Sequence, residues 1–205
     1  LKFILGYFCR KQKELKRLFI ISGSNGAGKT TASYTILPEI LDCEEFVNAD
    51  EIAKGLSPFN PASAAIQAGR LMLERISKLF LLGQDFAFET TLATKSYKNF
   101  VFKAKENGYQ VTLLFFWLRS SDLAVKRVET RVKEGGHNIP EDVIRRRYDN
   151  GLKNFFSIFE PIVDEWIFID NSGEPYEIIA RKNNESEKIG NPEKWNGLLK
   201  TYKYI

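Results

Sequence analysis

The 205-residue chain is poor in the residues that several function classes require. It has two cysteines, Cys9 and Cys43, and their separation fits neither a CxxC pair nor a zinc-ligand spacing. Free thiols in a reducing compartment are the simpler reading. There is one histidine, His137, so a His-rich metal site is excluded and a Ser-His-Asp triad could draw only on that residue. No apolar run approaches the roughly 18 to 20 residues that cross a bilayer. The apolar stretch Phe3 to Cys9 lacks a strong basic leader and a small-residue cleavage site, so it reads poorly as a signal peptide. The net charge of +4 suits anionic ligands but is too small an excess to mark a nucleic-acid protein. Repeats and low-complexity segments are absent. The expectation is a cytoplasmic protein with no membrane and no nucleic-acid partner.

What the chain does have is a core. At 43% hydrophobic and 27% charged it has the composition of a folded domain. The reading divides it into a charged lead-in over 1–17, one domain over 18–180, and a polar tail over 181–205 with a short helix around Trp195 to Tyr202.

One stretch organises that domain. Gly23-Ser24-Asn25-Gly26-Ala27-Gly28-Lys29-Thr30 fits G-x-x-x-x-G-K-[ST], the phosphate-binding loop or Walker A motif. The apolar run Leu18 to Ile21 before it reads as a buried parallel strand, and the residues after it, Thr30, Thr31 and onward, open a helix. A glycine-rich turn exposes backbone N–H groups toward an anion, and the positive end of the helix points into the same space. Lys29 adds an ammonium for the outer phosphates, and Thr30 a hydroxyl for Mg2+. The implied ligand is a nucleoside triphosphate with magnesium. No Asn-Lys-x-Asp guanine motif follows, so ATP is the default.

Further strands are expected at Glu45 to Asn48, Phe86 to Phe88, Val111 to Leu118 and Trp166 to Ile169, with helical spacing between them. That alternation implies an α/β fold, a five-stranded parallel sheet flanked by helices. Ligands in such sheets bind beyond the carboxyl ends of the strands. Strand two ends at Asp50 and strand three at Glu89 and Thr90. Two carboxylates beside a phosphate loop make a phosphoryl-transfer layout. Asp50 is assigned as general base and Glu89 as the metal-side carboxylate, with the reverse left open.

A second cluster is basic. Arg127 and Arg131, four apart, share a helix face; His137 follows Gly135-Gly136; Arg145-Arg146-Arg147 lie on the next helix, where not all can face one ligand. Residues 127–147 read as a helical lid. Arg70 and Glu74 read as a surface ion pair, and Asp170-Asn171-Ser172-Gly173 after the last strand reads equally as a segment near the nucleotide base or as a plain turn.

Taken together, Gly23 to Thr31, Asn48-Ala49-Asp50, Phe88-Glu89-Thr90-Thr91, and Gly135 to Pro140 with Arg145 to Tyr148 resemble the zeta-toxin-like P-loop kinases. The likeness is closer still to a small stand-alone bacterial branch often termed predicted ABC-type ATPases. The resemblance implies a nucleotide-kinase-like P-loop NTPase fold and, as in the toxins, phosphorylation of a sugar hydroxyl of UDP-N-acetylglucosamine with ATP and Mg2+. It implies that Lys29 and Thr30 hold phosphates and metal and that Asp50 is the base. Glu89 and Thr91 would line the substrate or metal side, Arg127 would touch phosphates, and Arg131 or His137 would act from the lid. A protein partner would be an antitoxin or regulator. Two features depart from the family pattern: Thr91 to Lys95 holds no arginine, and His137 stands where the toxin lid offers one. The Leu-Ser-Gly-Gly-Gln signature of transporter ATPases is absent. The competing function class is a regulatory nucleotide switch acting through a protein partner.

Overall fold

Strand β1, Lys16–Gly23, is apolar on both faces, and Leu18 through Ile21 are each at most 2% exposed. A strand of that kind can only sit in the middle of a sheet covered on both sides. In the computed structural model, which describes residues 15–136 and 138–203, it does. Residues 1–14 of the lead-in, Cys9 and His137 lie outside the described residues.

After β1 come helix α1 (Lys29–Glu39), the two-residue strand β2 (Phe46–Val47), helix α2 (Ala49–Leu56) and a single 3-10 turn. Helix α3 (Ala65–Leu81), β3 (Phe86–Thr90), α4 (Tyr97–Glu106) and β4 (Tyr109–Trp117) follow. Helices α5 (Ser121–Lys133) and α6 (Glu141–Asn154) form the next hairpin, and a wide π turn leads from α6 to β5 (Glu165–Asp170). The chain closes with β6 (Glu177–Lys182), β7 (Glu187–Ile189) and α7 (Pro192–Tyr202).

The sheet has seven strands in the order β2-β3-β1-β4-β5-β6-β7, two more than the sequence reading allowed. The five expected strands are present and parallel. The two additions, β6 and β7, are antiparallel. They escaped notice because an antiparallel edge buries only part of its residues: of β6 only Ile179 and Ala180 are buried, and β7 is exposed throughout. The tail is therefore built into the sheet. Trp195 of α7 is 2% exposed and stacks on Trp166 of β5, ring centroids 5.3 Å apart.

Local sequence explains the helices. On α3, Ala68, Met72, Ile76, Leu79 and Phe80 repeat at helical spacing and are buried. Helix α5 is capped by Ser120, whose hydroxyl accepts from Leu123 N at 3.2 Å. Arg70 and Glu74 do not pair among the described residues. It is Arg75 that bridges, to Glu45 at 2.6 Å, and so ties α3 to the approach to β2. At the opposite end of the sheet from the phosphate loop, Arg17 binds Asp85 at 2.6 Å and the carbonyl of Leu41 at 2.7 Å. This cross-link fixes the start of β1 against that of β3.

Candidate active site

The parallel strands β1, β2 and β3 end side by side, and their tips carry the candidate residues. Between β1 and α1 the loop turns through Gly26 and Gly28 at φ 75° and 80°, a region closed to most side chains. Both also face close neighbours. A Cβ on Gly26 would lie 2.8 Å from the carbonyl of Ala124, and one on Gly28 only 2.5 Å from Asn171 Nδ2. Gly23, Ser24, Asn25, Ala27 and Lys29 are buried, Thr30 is half-buried, and Thr31 is exposed on the first turn of α1. Ser24 Oγ is buried with no partner among the described residues. An orphaned hydroxyl inside a glycine cradle fits a loop shaped for a phosphate, which would supply the missing acceptor.

Lys29 is 6% exposed. Its Nζ donates to the carbonyl of Ser24 at 2.9 Å and lies 3.4 Å from Glu89 Oε1. Thr30 Oγ1 donates to Glu89 Oε2 at 2.7 Å. Asn48, at the tip of β2, donates from Nδ2 to the same oxygen at 2.8 Å. One carboxylate thus joins three strand ends. Thr30 Oγ1 and the Glu89 oxygens are hard donors of the kind magnesium takes alongside phosphate and water, so the residues fit that ion.

Asn48 has a second duty. Its Oδ1 caps α2 by accepting from Asp50 N at 2.8 Å and from Glu51 N at 3.4 Å. Asp50 is therefore not the cap. It stands on the first turn of α2, exposed, one side chain away from the Glu89 network, and its carboxylate has no partner among the described residues. Thr91 is half-buried just past β3. Its neighbour Leu92 is fully buried at φ 58°, held by Asn154 Nδ2 donating to the Leu92 carbonyl at 2.8 Å.

The basic cluster divides. Arg127 lies against the phosphate loop, its Cβ 3.1 Å from where a Cβ on Gly26 would stand, and its Nη2 donates to the carbonyl of Ser172 at 3.3 Å. Arg131 sits one turn further along α5, half-buried, and its carbonyl accepts from Gly136 N at 2.8 Å. Arg145 is taken by Asp122 at 2.6 Å and Glu141 at 2.8 Å, and those two acids raise its pKa. Arg146 is exposed, and Arg147 Nη1 donates to Asn25 Oδ1 on the phosphate loop at 3.3 Å.

Sequence reasoning missed three participants. Asn48 was read only as part of a motif, although its place at a strand tip was a usable signal. Arg147 was not separated from its two neighbours. Asn171, in a segment that read equally as a plain turn, donates from Nδ2 to the carbonyl of Ala27 at 2.9 Å and so touches the phosphate loop.

Comparison with known proteins bears on the family and the fold. The family model described as Zeta toxin matches residues 7–183. An uncharacterized protein of Haemophilus influenzae is 32% identical over 126 residues, 62% of this chain and 88% of its own length. Among solved structures, the AvrRxo1-ORF1:-ORF2 complex crystallised with ATP gives a TM-score of 0.73 at 15% identity, over 95% of this chain and 67% of that one. The PezAT toxin–antitoxin system of Streptococcus pneumoniae gives 0.62 at 16% identity, over 98% and 84%. At those identities the structural likeness speaks to the fold, that of the P-loop kinases. The match over residues 7–183 covers most of the sequence, and the chain belongs to the zeta toxin family.

Proposed function

We propose that the chain is an ATP- and magnesium-dependent kinase that moves the γ-phosphoryl group to a hydroxyl of a small cytoplasmic molecule. The observation that carries this reading is the meeting of Lys29, Thr30, Asn48 and Glu89 at the tips of β1, β2 and β3. Backbone N–H groups of residues 24–29 and the Lys29 ammonium would bind the phosphates. Thr30 and Glu89 would hold magnesium, which when bound supplies charge neutralisation at the phosphate oxygens. Asp50, exposed on the first turn of α2 beside Asn48, would take the proton of the attacking hydroxyl. Arg127 and Arg147 would steady the developing charge, with Arg131 and His137 acting from the lid as it excludes water.

The first acceptor to test is a sugar nucleotide, UDP-N-acetylglucosamine, which the resemblance to the toxins suggests, and Thr91 and Glu89 would line its side of the crevice. The solved toxin–antitoxin relative supports an antitoxin-like protein as partner.

The test is transfer of labelled γ-phosphate from MgATP to a panel of nucleotide sugars, UDP-N-acetylglucosamine first, by the wild-type chain and by Lys29→Ala. Wild type should label at least one acceptor, and the variant should fall by about 100-fold or more. A wild type that binds MgATP and labels none of the panel would overturn the kinase reading in favour of a nucleotide switch.

A further inference from the structure

We infer that Lys194, on the C-terminal helix α7, is a positioning residue for nucleotide binding: it holds the Asp170–Ser172 turn against the phosphate loop. This rests on the reading that the nucleotide occupies the Gly23–Thr30 loop. Lys194 lies beyond residue 183, where the family match ends.

The chain of contacts is short. Lys194 Nζ donates to Asp170 Oδ2 at 2.6 Å and to Glu177 Oε2 at 2.7 Å. Asp170 closes β5 and is 6% exposed. With one oxygen on Lys194, it uses the other, Oδ1, to accept from Ser172 N at 2.9 Å, which turns the chain back on itself. The turned Ser172 then accepts twice, at its hydroxyl from Arg119 N at 2.8 Å and at its carbonyl from Arg127 at 3.3 Å. Between them Asn171 is clamped, its N donating to Trp117 O and its Nδ2 to Ala27 O, each at 2.9 Å. The turn therefore sets the position of Arg127 on one side and the backbone of Ala27-Gly28 on the other. Arg127 borders the phosphate loop, and Ala27-Gly28 are part of it.

Physics makes Lys194 the keystone of the turn. Asp170 is nearly buried and Glu177 lies within reach of the same ammonium. Removing that cation leaves two carboxylates facing each other, one of them desolvated. Asp170 must then swing toward water or take up a proton. A swing breaks the bond from Ser172 N, and a proton on Oδ2 weakens it by removing the charge that strengthens it, so either change loosens the constraint on Asn171 and Arg127.

A purely structural role would predict the same loss from any salt bridge that pins α7. Lys203 supplies that comparison. It is as exposed as Lys194 and pins the end of α7 to Glu160 at 2.8 Å, its ammonium making no hydrogen bond to the turn among the described residues. Equilibrium binding of a fluorescent ATP analogue with magnesium should be measured on the full chain for wild type, Lys194→Met, Lys194→Arg, Lys203→Met and Asn171→Ala, with thermal melts of each. We expect Lys194→Met and Asn171→Ala to bind roughly tenfold more weakly, Lys194→Arg to recover most of the affinity, and Lys203→Met to stay within about twofold of wild type at a similar melting loss. Wild-type affinity in Lys194→Met or Asn171→Ala, or equal weakening in Lys203→Met, overturns the inference alone. A wild type that binds no analogue overturns the phosphate-loop reading and this inference with it.

Discussion

Glu89 closes a strand, Phe-Ala-Phe-Glu-Thr, whose first three residues are completely buried, and its own side chain is only 10% exposed. A carboxylate in that position is costly unless it is charged for a purpose and well partnered. Its partners are Lys29, Thr30 and Asn48, all at strand tips. Glu89→Gln keeps the shape and removes the charge. Phosphoryl transfer should drop by about 100-fold or more, while the melting temperature changes by only a few degrees. A Gln variant that transfers at the wild-type rate would remove this carboxylate from the chemistry. Glu89 was legible in the sequence because a charge at the end of an apolar run has few structural uses. Asn48 was harder to find: it both caps a helix and reaches a carboxylate, and only its capping role has a local signature. Asn171 stood in a segment that reads equally as a plain turn, and its contact with Ala27 could not be foreseen because the two are 144 residues apart.

Helix α6 shows what an element adds. Ile144, Tyr148 and Leu152 form its buried stripe. On that phase Arg146 points outward, while Arg145 and Arg147 flank the stripe on opposite sides. The helical phase could thus have separated the three arginines from sequence alone. The continuation of the Arg147 side could not be foreseen. Gly151 and Asn154, four and seven residues on, bear on the segment after β3: a Cβ on Gly151 would stand 2.8 Å from the carbonyl of Thr91, and Asn154 binds the carbonyl of Leu92. One face of α6 so runs from the phosphate loop, at Arg147, to the segment after β3, at Asn154. Leucine has no preference for the left-handed conformation it adopts at position 92, so only long-range packing selects it. Asn154→Ala leaves a buried carbonyl without its donor and should cost about 1–3 kcal/mol in denaturant unfolding. A loss under about 0.5 kcal/mol would mean that the turn is held by other contacts.

At the scale of the molecule, the two halves of the sheet were unequally legible. The parallel half announces itself through continuous apolar runs, because both of its faces are covered. The antiparallel half is short, partly exposed and polar, so its sequence looks like a tail even though Trp195 seals the core over Trp166 and Phe168. Its charges serve the fold as well. Burial alone would raise the pKa of Asp170, yet hydrogen bonds from Lys194 and Ser172 more than offset that and hold the carboxyl below its usual range. The parallel half places its strand tips together, and that convergence is the basis for reading the chain as a kinase: Asn48 links Glu89, beside Lys29, to the backbone of Asp50. The decisive measurement compares wild type with Asp50→Asn for γ-phosphate transfer from MgATP to the acceptor that the nucleotide-sugar panel identifies, with MgATP affinity measured in parallel. If Asp50 is the base, transfer falls by about 100-fold or more while affinity is unchanged. Transfer by Asp50→Asn at the wild-type rate would contradict it.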